Sequence, residues 1–114
     1  MENCLFCRIV AGEVPADVVA RTSGTVAFRD INPQAPVHVL VVPTEHIDDA
    51  AALDTSHAAM LAELHTTAGS VAESEGVAAT GYRLVFNVGD DAGNTVPHLH
   101  LHVLGGRALA WPPG

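Results

Sequence analysis

The segment His98-Leu99-His100-Leu101-His102-Val103-Leu104 alternates imidazole with branched apolar side chains. A period of two is that of a β-strand, so the segment reads as a strand with three histidines on one pleat face and Leu99, Leu101 and Val103 on the other. Neighbouring imidazoles along such a face stand roughly 6.5 to 7 Å apart. That row suits one phosphate-sized object, because imidazole near neutral pH serves as donor, acceptor, nucleophile or metal ligand. Two other readings fit the same pattern. One is a half-exposed strand whose polar face happens to use histidine; the other is a zinc site of three imidazoles and a water.

The remaining segments supply partners for that strand. Apolar positions 5, 6, 9 and 10 mark a helix of two turns at most, closed by Gly12 and Pro15. Val18 to Ala20 and Thr25 to Phe28 read as short strands around a turn at Thr22-Ser23-Gly24. The β-branched run Val37 to Val42, ended by Pro43, belongs in the middle of a sheet. From Asp54 or Thr55, either a good N-cap, a long helix runs to Gly76, with Leu53, Met60, Leu61, Leu64, Ala68, Val71 and Ala72 on its apolar face. His57, Glu63, His65 and Glu73 fall outside that face and read as solvated. Gly69 inside the helix costs about 1 kcal/mol relative to alanine, which a close approach of helix to sheet would explain. Tyr82 to Val88 is a further strand, and Gly89 to Thr95 has the composition of a loop. The order predicts an α+β fold, an antiparallel five-stranded sheet with one long and one short helix packed on one face.

At 114 residues and 48% hydrophobic content the chain suits a single domain spanning residues 1–114. A formal charge of −8 opposes capture of nucleic acid or anionic membrane. A nucleotide in a pocket is still compatible, since local donors hold it. With five arginines and no lysine, the chain can form neither a Schiff base nor a phosphate-binding lysine loop. Met1-Glu2-Asn3 lacks the basic start and apolar run of a signal peptide, and no apolar stretch is long enough to span a membrane, so the expected location is the cytoplasm. In that reducing compartment Cys4 and Cys7, spaced C-x-x-C, point to metal or redox chemistry rather than a disulfide.

With Leu99, Leu101 and Val103 packed under the long helix, the histidines face the open side beside the glycine loop, whose backbone N–H groups can cradle an anion. The middle imidazole, His100, is then the best-placed nucleophile, flanked by rings that orient it and supply protons.

These residues resemble a known family. The His-Leu-His-Leu-His-Val-Leu run matches the signature of histidine triad proteins, and Gly105-Gly106-Arg107 with Trp111-Pro112-Pro113-Gly114 is similar to the Hint branch, the histidine triad nucleotide-binding proteins. The similarity extends through Phe6-Cys7-Arg8-Ile9, Ala27-Phe28-Arg29-Asp30-Ile31, Pro33-Gln34-Ala35-Pro36, His38 to Pro43 and Gly81-Tyr82-Arg83. Pro97 departs from the branch, which carries an aromatic residue there.

The resemblance implies a homodimer with two purine nucleotide (AMP or GMP) sites, hydrolysing nucleoside phosphoramidates through a covalent nucleotidyl-histidine. It assigns His100 as nucleophile, His102 as donor to the phosphate, and His98 as orienting residue with His38 hydrogen-bonded behind it. Asp30 takes the ribose hydroxyls, while Phe6, Phe28, Arg29 and Ile31 wall the base. Asn87, Gly93, Asn94 and Thr95 meet the phosphate side, and Trp111 packs on its own subunit or reaches the partner's site. The chemistry itself needs no cofactor.

In some histidine triad relatives a cysteine pair is completed by two histidines into a structural zinc site, and the matching positions here are Cys4, Cys7, His46 and His98. Two reduced cysteines packed as small apolar groups are the alternative. For function, the alternatives to a phosphoramidase are a dinucleoside polyphosphate hydrolase, a nucleotide-binding interaction module with little catalysis, and a metallohydrolase using the three triad imidazoles.

Overall fold

The sheet is built from β1 (Val18–Arg21), β2 (Thr25–Arg29), β3 (Val37–Pro43), β4 (Tyr82–Val85) and β5 (Leu101–Gly105). They are antiparallel in the order β1-β2-β3-β5-β4. Two α-helices accompany them, α1 (Leu5–Val10) and α2 (Ala58–Ser74). The computed structural model describes residues 3–114; Met1 and Glu2, part of the N-terminal segment considered above, lie outside the described residues. Among those described, no helix is long and apolar enough to cross a membrane.

Alternation along the central strands sorts side chains between two faces. Ala27, Val39, Val41, Leu99, Leu101 and Val103 pack against Leu64, Ala68 and Val71 of α2. Val26, Phe28, Leu40 and Val42 point the other way and pack with Cys4, Phe6 and Ile9 around α1. The two helices therefore cover opposite faces, not one. The six-residue α1 covers only part of its face, and the uncovered remainder is where a pocket can open.

Several expectations need correction. The ladder of β5 begins at Leu101 rather than His98, because the Leu99 N–H donates to Ile47 O, 2.6 Å away, instead of to a neighbouring strand. β4 ends at Val85, three residues before Val88. The long helix starts at Ala58, after a 3₁₀ turn at Thr55–His57 that Asp54 caps. Leu61, placed on the core face, is 42% exposed, and Thr67 is buried instead, with its hydroxyl 2.9 Å from that of Thr25.

Glu63 is not simply solvated. Its carboxylate accepts from Thr22 Oγ1 at 2.7 Å and Gly24 N at 3.0 Å, tying the β1–β2 turn to α2. A Cβ at position 24 would lie 2.5 Å from that carboxylate, so any other residue would push Glu63 aside and break this tie. His57 likewise caps, accepting from the Asp54 N–H at 3.0 Å. Gly69 has no steric reason: a Cβ there would meet nothing within 4 Å.

Candidate active site

A pocket of about 510 Å³ opens on the α1 face of the sheet. One wall is apolar, from Leu5, Phe6, Ile9, Val14, Pro15, Ala16, Phe28 and Leu40. Opposite stand Asp30, His38, Asn87, Gly93, Thr95, His100 and His102. Phe6 meets Phe28 edge-on at 5.4 Å between ring centres and His100 at 5.2 Å, joining the apolar wall to the imidazoles.

Sheet register brings the first pair of imidazoles together. His38 lies opposite Leu104 and Leu40 opposite His102, so His38 and His102 are diagonal neighbours on one face. His38 Nε2 stands 2.9 Å from His102 Nδ1 and 3.4 Å from Asp30 Oδ2. The Gln34 N–H donates to His38 Nδ1 at 3.0 Å, so neutral His38 carries its proton on Nε2 and donates it to His102 Nδ1. His102 is thereby held with its proton on Nε2; the Asn87 amide, 3.4 Å away, accepts that proton only when turned to present Oδ1, since its Nδ2 is itself a donor. A second proton on His102 would have to sit on Nδ1, against the donor of His38. Burial first, then the neighbouring His100 and His38, push the pKa of His102 down to about 4, and burial lowers that of His38. At neutral pH His102 is an uncharged hydrogen-bond donor aimed into the pocket.

His100 is oriented by its own chain. Its Nδ1 lies 2.7 Å from the His98 carbonyl oxygen, to which it donates, leaving the lone pair on Nε2. The ring centres of His100 and His102 are 5.0 Å apart, closer than an extended strand would place them, because His100 precedes the ladder.

His98 occupies a different place from the other two. It is fully buried and does not line the pocket. Its Nε2–H donates to Pro43 O at 3.1 Å, and its Nδ1 faces Cys4 Sγ at 3.2 Å and Cys7 Sγ at 3.4 Å. Both ring nitrogens are engaged away from the pocket, so the three triad imidazoles do not converge on one metal. The expected contact between His98 and His38 is also absent among the described residues, since His38 pairs with His102.

Around His98 a second cluster gathers. The donor atoms of Cys4, Cys7, His46 and His98 all lie within 4.8 Å of one another. His46 Nδ1 faces Cys7 Sγ at 3.3 Å, and its Nε2 bonds Asp48 Oδ1 at 2.8 Å. Each imidazole thus donates outward, to a carboxylate or a carbonyl, and turns a lone pair on the sulfurs. This is the outer-shell arrangement that orients metal-bound histidines. In a tetrahedral zinc site the S···N edge is about 3.5 Å, close to these separations. Burial and the adjacent Cys4 raise the pKa of the Cys7 thiol. The residues fit a divalent metal.

The remaining expected residues divide. Phe6, Phe28, Arg29, Asp30, Ile31, Asn87, Gly93 and Thr95 line the pocket, Ile31 as a fully exposed rim residue. Arg29 is held by both guanidinium nitrogens on Glu75 and by Nε on Asp17 at 3.2 Å, so its fork is occupied. Asn94 does not line the pocket, and its Oδ1 is buried without a partner. Trp111 is 82% exposed and does not line this pocket, so of its two expected placements the structure does not show packing on its own subunit. Sequence reasoning missed Leu5, Ile9, Val14, Pro15, Ala16, Asn32, Gln34, Leu40 and Val96 as wall residues. The one available signal was Val14-Pro15-Ala16, a rigid apolar stretch left over after α1 ends at Val10.

An antiparallel sheet whose last strand and the segment leading into it bring His100 and His102 to a pocket beside a glycine-containing loop, with His98 buried behind them, defines a histidine triad domain. A sequence profile described as HIT domain matches residues 11–109, and the chain belongs to the HIT family. It is 47% identical to an uncharacterised HIT-like protein of Synechococcus elongatus, covering 99% of this chain and 98% of that one. It is 41% identical to a purine nucleoside phosphoramidase of Escherichia coli, over 95% of this chain and 91% of the relative. Among solved structures, a HIT family hydrolase from Legionella pneumophila superposes with a TM-score of 0.96 at 48% identity, covering 98% of this chain and 100% of that one.

Proposed function

We propose that this protein, as a member of the Hint branch, hydrolyses purine nucleoside 5′-phosphoramidates to the nucleoside monophosphate and an amine, with His100 as nucleophile. The observation that carries the reading is the bond from His100 Nδ1 to the His98 carbonyl, which leaves the Nε2 lone pair free for phosphorus. The Escherichia coli relative supports the substrate class.

The apolar wall accepts a purine between Phe6, Phe28 and Leu40, and Asp30 takes the ribose hydroxyls. Gly93 and Thr95 hold the phosphate against the histidines, with His102 Nε2–H donating to a phosphoryl oxygen. In the first half-reaction His100 Nε2 bonds to phosphorus as the P–N bond breaks, and the leaving nitrogen takes a proton from solvent and departs as the amine. In the second, water attacks phosphorus and the bond to Nε2 breaks. The water's proton returns to solvent and the monophosphate leaves. His102, uncharged throughout, stabilises the charge on the phosphoryl oxygens.

Cys4, Cys7, His46 and His98 hold zinc in this reading, and the ion supplies cross-linking of the chain rather than a reacting group. The protein pairs as a homodimer across the open edge of β4 and the outer side of α2. There a groove of about 600 Å³ is lined by Leu61, Ala62, His65, Leu84, Phe86 and Leu101, an apolar surface of the kind an interface covers. Sedimentation of the wild type and of Leu61→Asp tests it; a monomeric wild type contradicts the dimer.

The activity is tested with an adenosine 5′-phosphoramidate of a fluorescent amine. Release of amine with AMP by the wild type supports the reading. Tight AMP binding without turnover would instead make the protein a binding module.

A further inference from the structure

We propose that the Cys4–Cys7–His46–His98 cluster is a positioning device for the reaction, so that metal occupancy and nucleotide binding are coupled. This rests on the reading of the cluster as a metal site and of the pocket as a nucleotide site.

His98 belongs to both regions through different atoms. Its ring faces the two sulfurs, at 3.2 and 3.4 Å, while its carbonyl oxygen receives His100 Nδ1 at 2.7 Å. Any movement of the ring that displaces the His98 backbone therefore displaces the group that aims the nucleophile. The other ligands reinforce the same point. His46 adjoins Ile47, whose carbonyl takes the Leu99 N–H at 2.6 Å, between His98 and His100.

A second route runs through α1. Cys4 caps this helix and Cys7 lies in its first turn, with the Cys7 N–H on Cys4 Sγ at 3.3 Å. Between them Phe6 projects to His100 at 5.2 Å and to Phe28 at 5.4 Å. A helix of six residues does not hold itself in water, so its place is set by what its ends and its buried face attach to. Four ligands closed on one ion fix the N-terminal end of α1 to the segment carrying the nucleophile, and with it one wall of the pocket.

Coupling of this kind is reciprocal: the factor by which metal tightens nucleotide equals the factor by which nucleotide tightens metal. The geometry leads us to expect roughly tenfold, within the usual range for linked sites. The test uses the full chain. AMP affinity is measured by calorimetry with zinc bound and after chelation, and zinc affinity by competition with a chromophoric chelator with and without AMP. Equal tightening in both directions supports the proposal. As an independent readout, the protein is loaded with Co²⁺ and its visible absorption followed as AMP is added. A shift in the ligand-field bands that shrinks in His100→Ala supports the proposal, and this measurement decides the matter if the metal-free chain does not fold.

Each failure has its own signature. Zinc binding with unchanged AMP affinity, or cobalt bands indifferent to AMP, overturns the coupling alone. A chain that binds AMP but neither metal overturns the cluster as a metal site, and the coupling with it. A metal-loaded chain that ignores AMP overturns the nucleotide reading.

Discussion

His98 and His102 sit four residues apart in one segment, yet they anchor two regions built on different principles. Around His98, two thiols and two imidazoles turn lone pairs on a common centre, and every outward-facing N–H is satisfied. Around His102, donors and acceptors run in a line, from Gln34 N–H through His38 to His102 and the pocket. The first arrangement is the one we propose holds a cation; the second fixes a proton on one nitrogen. The difference comes from backbone placement. His102 lies in the ladder opposite β3, where register supplies His38, whereas His98 precedes the ladder and folds under α1, where the chain supplies cysteines.

That contrast can be broken at each of its parts. His100→Ala, which removes the nucleophile between the two regions, should reduce turnover on the order of 10³-fold or more while AMP still binds. Steady-state kinetics with calorimetry in parallel measure both. His38→Ala releases the proton of His102 to either nitrogen, and the lost tautomer should lower kcat on the order of 10²-fold with little change in KM. With the proposed zinc site filled, the same substitution should leave metal content unchanged, which elemental analysis checks.

Acid should act on the His102 side as well. Its folded pKa, near 4, lies below the ordinary 6.5, so between those values the unfolded chain binds more protons. The contribution is full above about pH 6.5 and is lost as pH falls toward about 4, with His38 shifted in the same direction. The melting temperature should therefore fall across that window, and His38→Ala should flatten part of the slope. The smallest effect is expected far from both regions. Gly69→Ala fills open space on α2 and should stabilise the protein by about 0.5 to 1 kcal/mol in denaturant unfolding, with turnover unchanged.

Much of this was legible in the alternation of residues 98 to 104. Period two placed Leu99, Leu101 and Val103 in the core beneath α2, and they are there. The same periodicity put His98 on the open face, and there it failed, because a backbone bond to Ile47 ends the strand pattern before His100. Local pattern carries no information about a partner some fifty residues away. The histidine relay was half legible: His38 entered through the family resemblance, but its partner is set by the β3–β5 register, which sequence does not print. Glu63 looked solvated because helical periodicity reports only the face of its own helix, and its partner Gly24 comes from the β1–β2 turn. The cysteine pair stood out by its spacing, while His46 and His98, which the fold brings beside it, entered through the family resemblance.

The account stands or falls on His100 forming a bond to phosphorus. The most direct measurement is quench of the enzyme in alkaline denaturant during turnover of a radiolabelled adenosine phosphoramidate, followed by peptide mass spectrometry at a pH that preserves the linkage. The expected result is label held on the peptide containing His100 in an acid-labile, base-stable linkage, formed in a burst before steady state and absent from His100→Ala. Turnover with no trapped nucleotidyl-protein, or label on another residue, would contradict it.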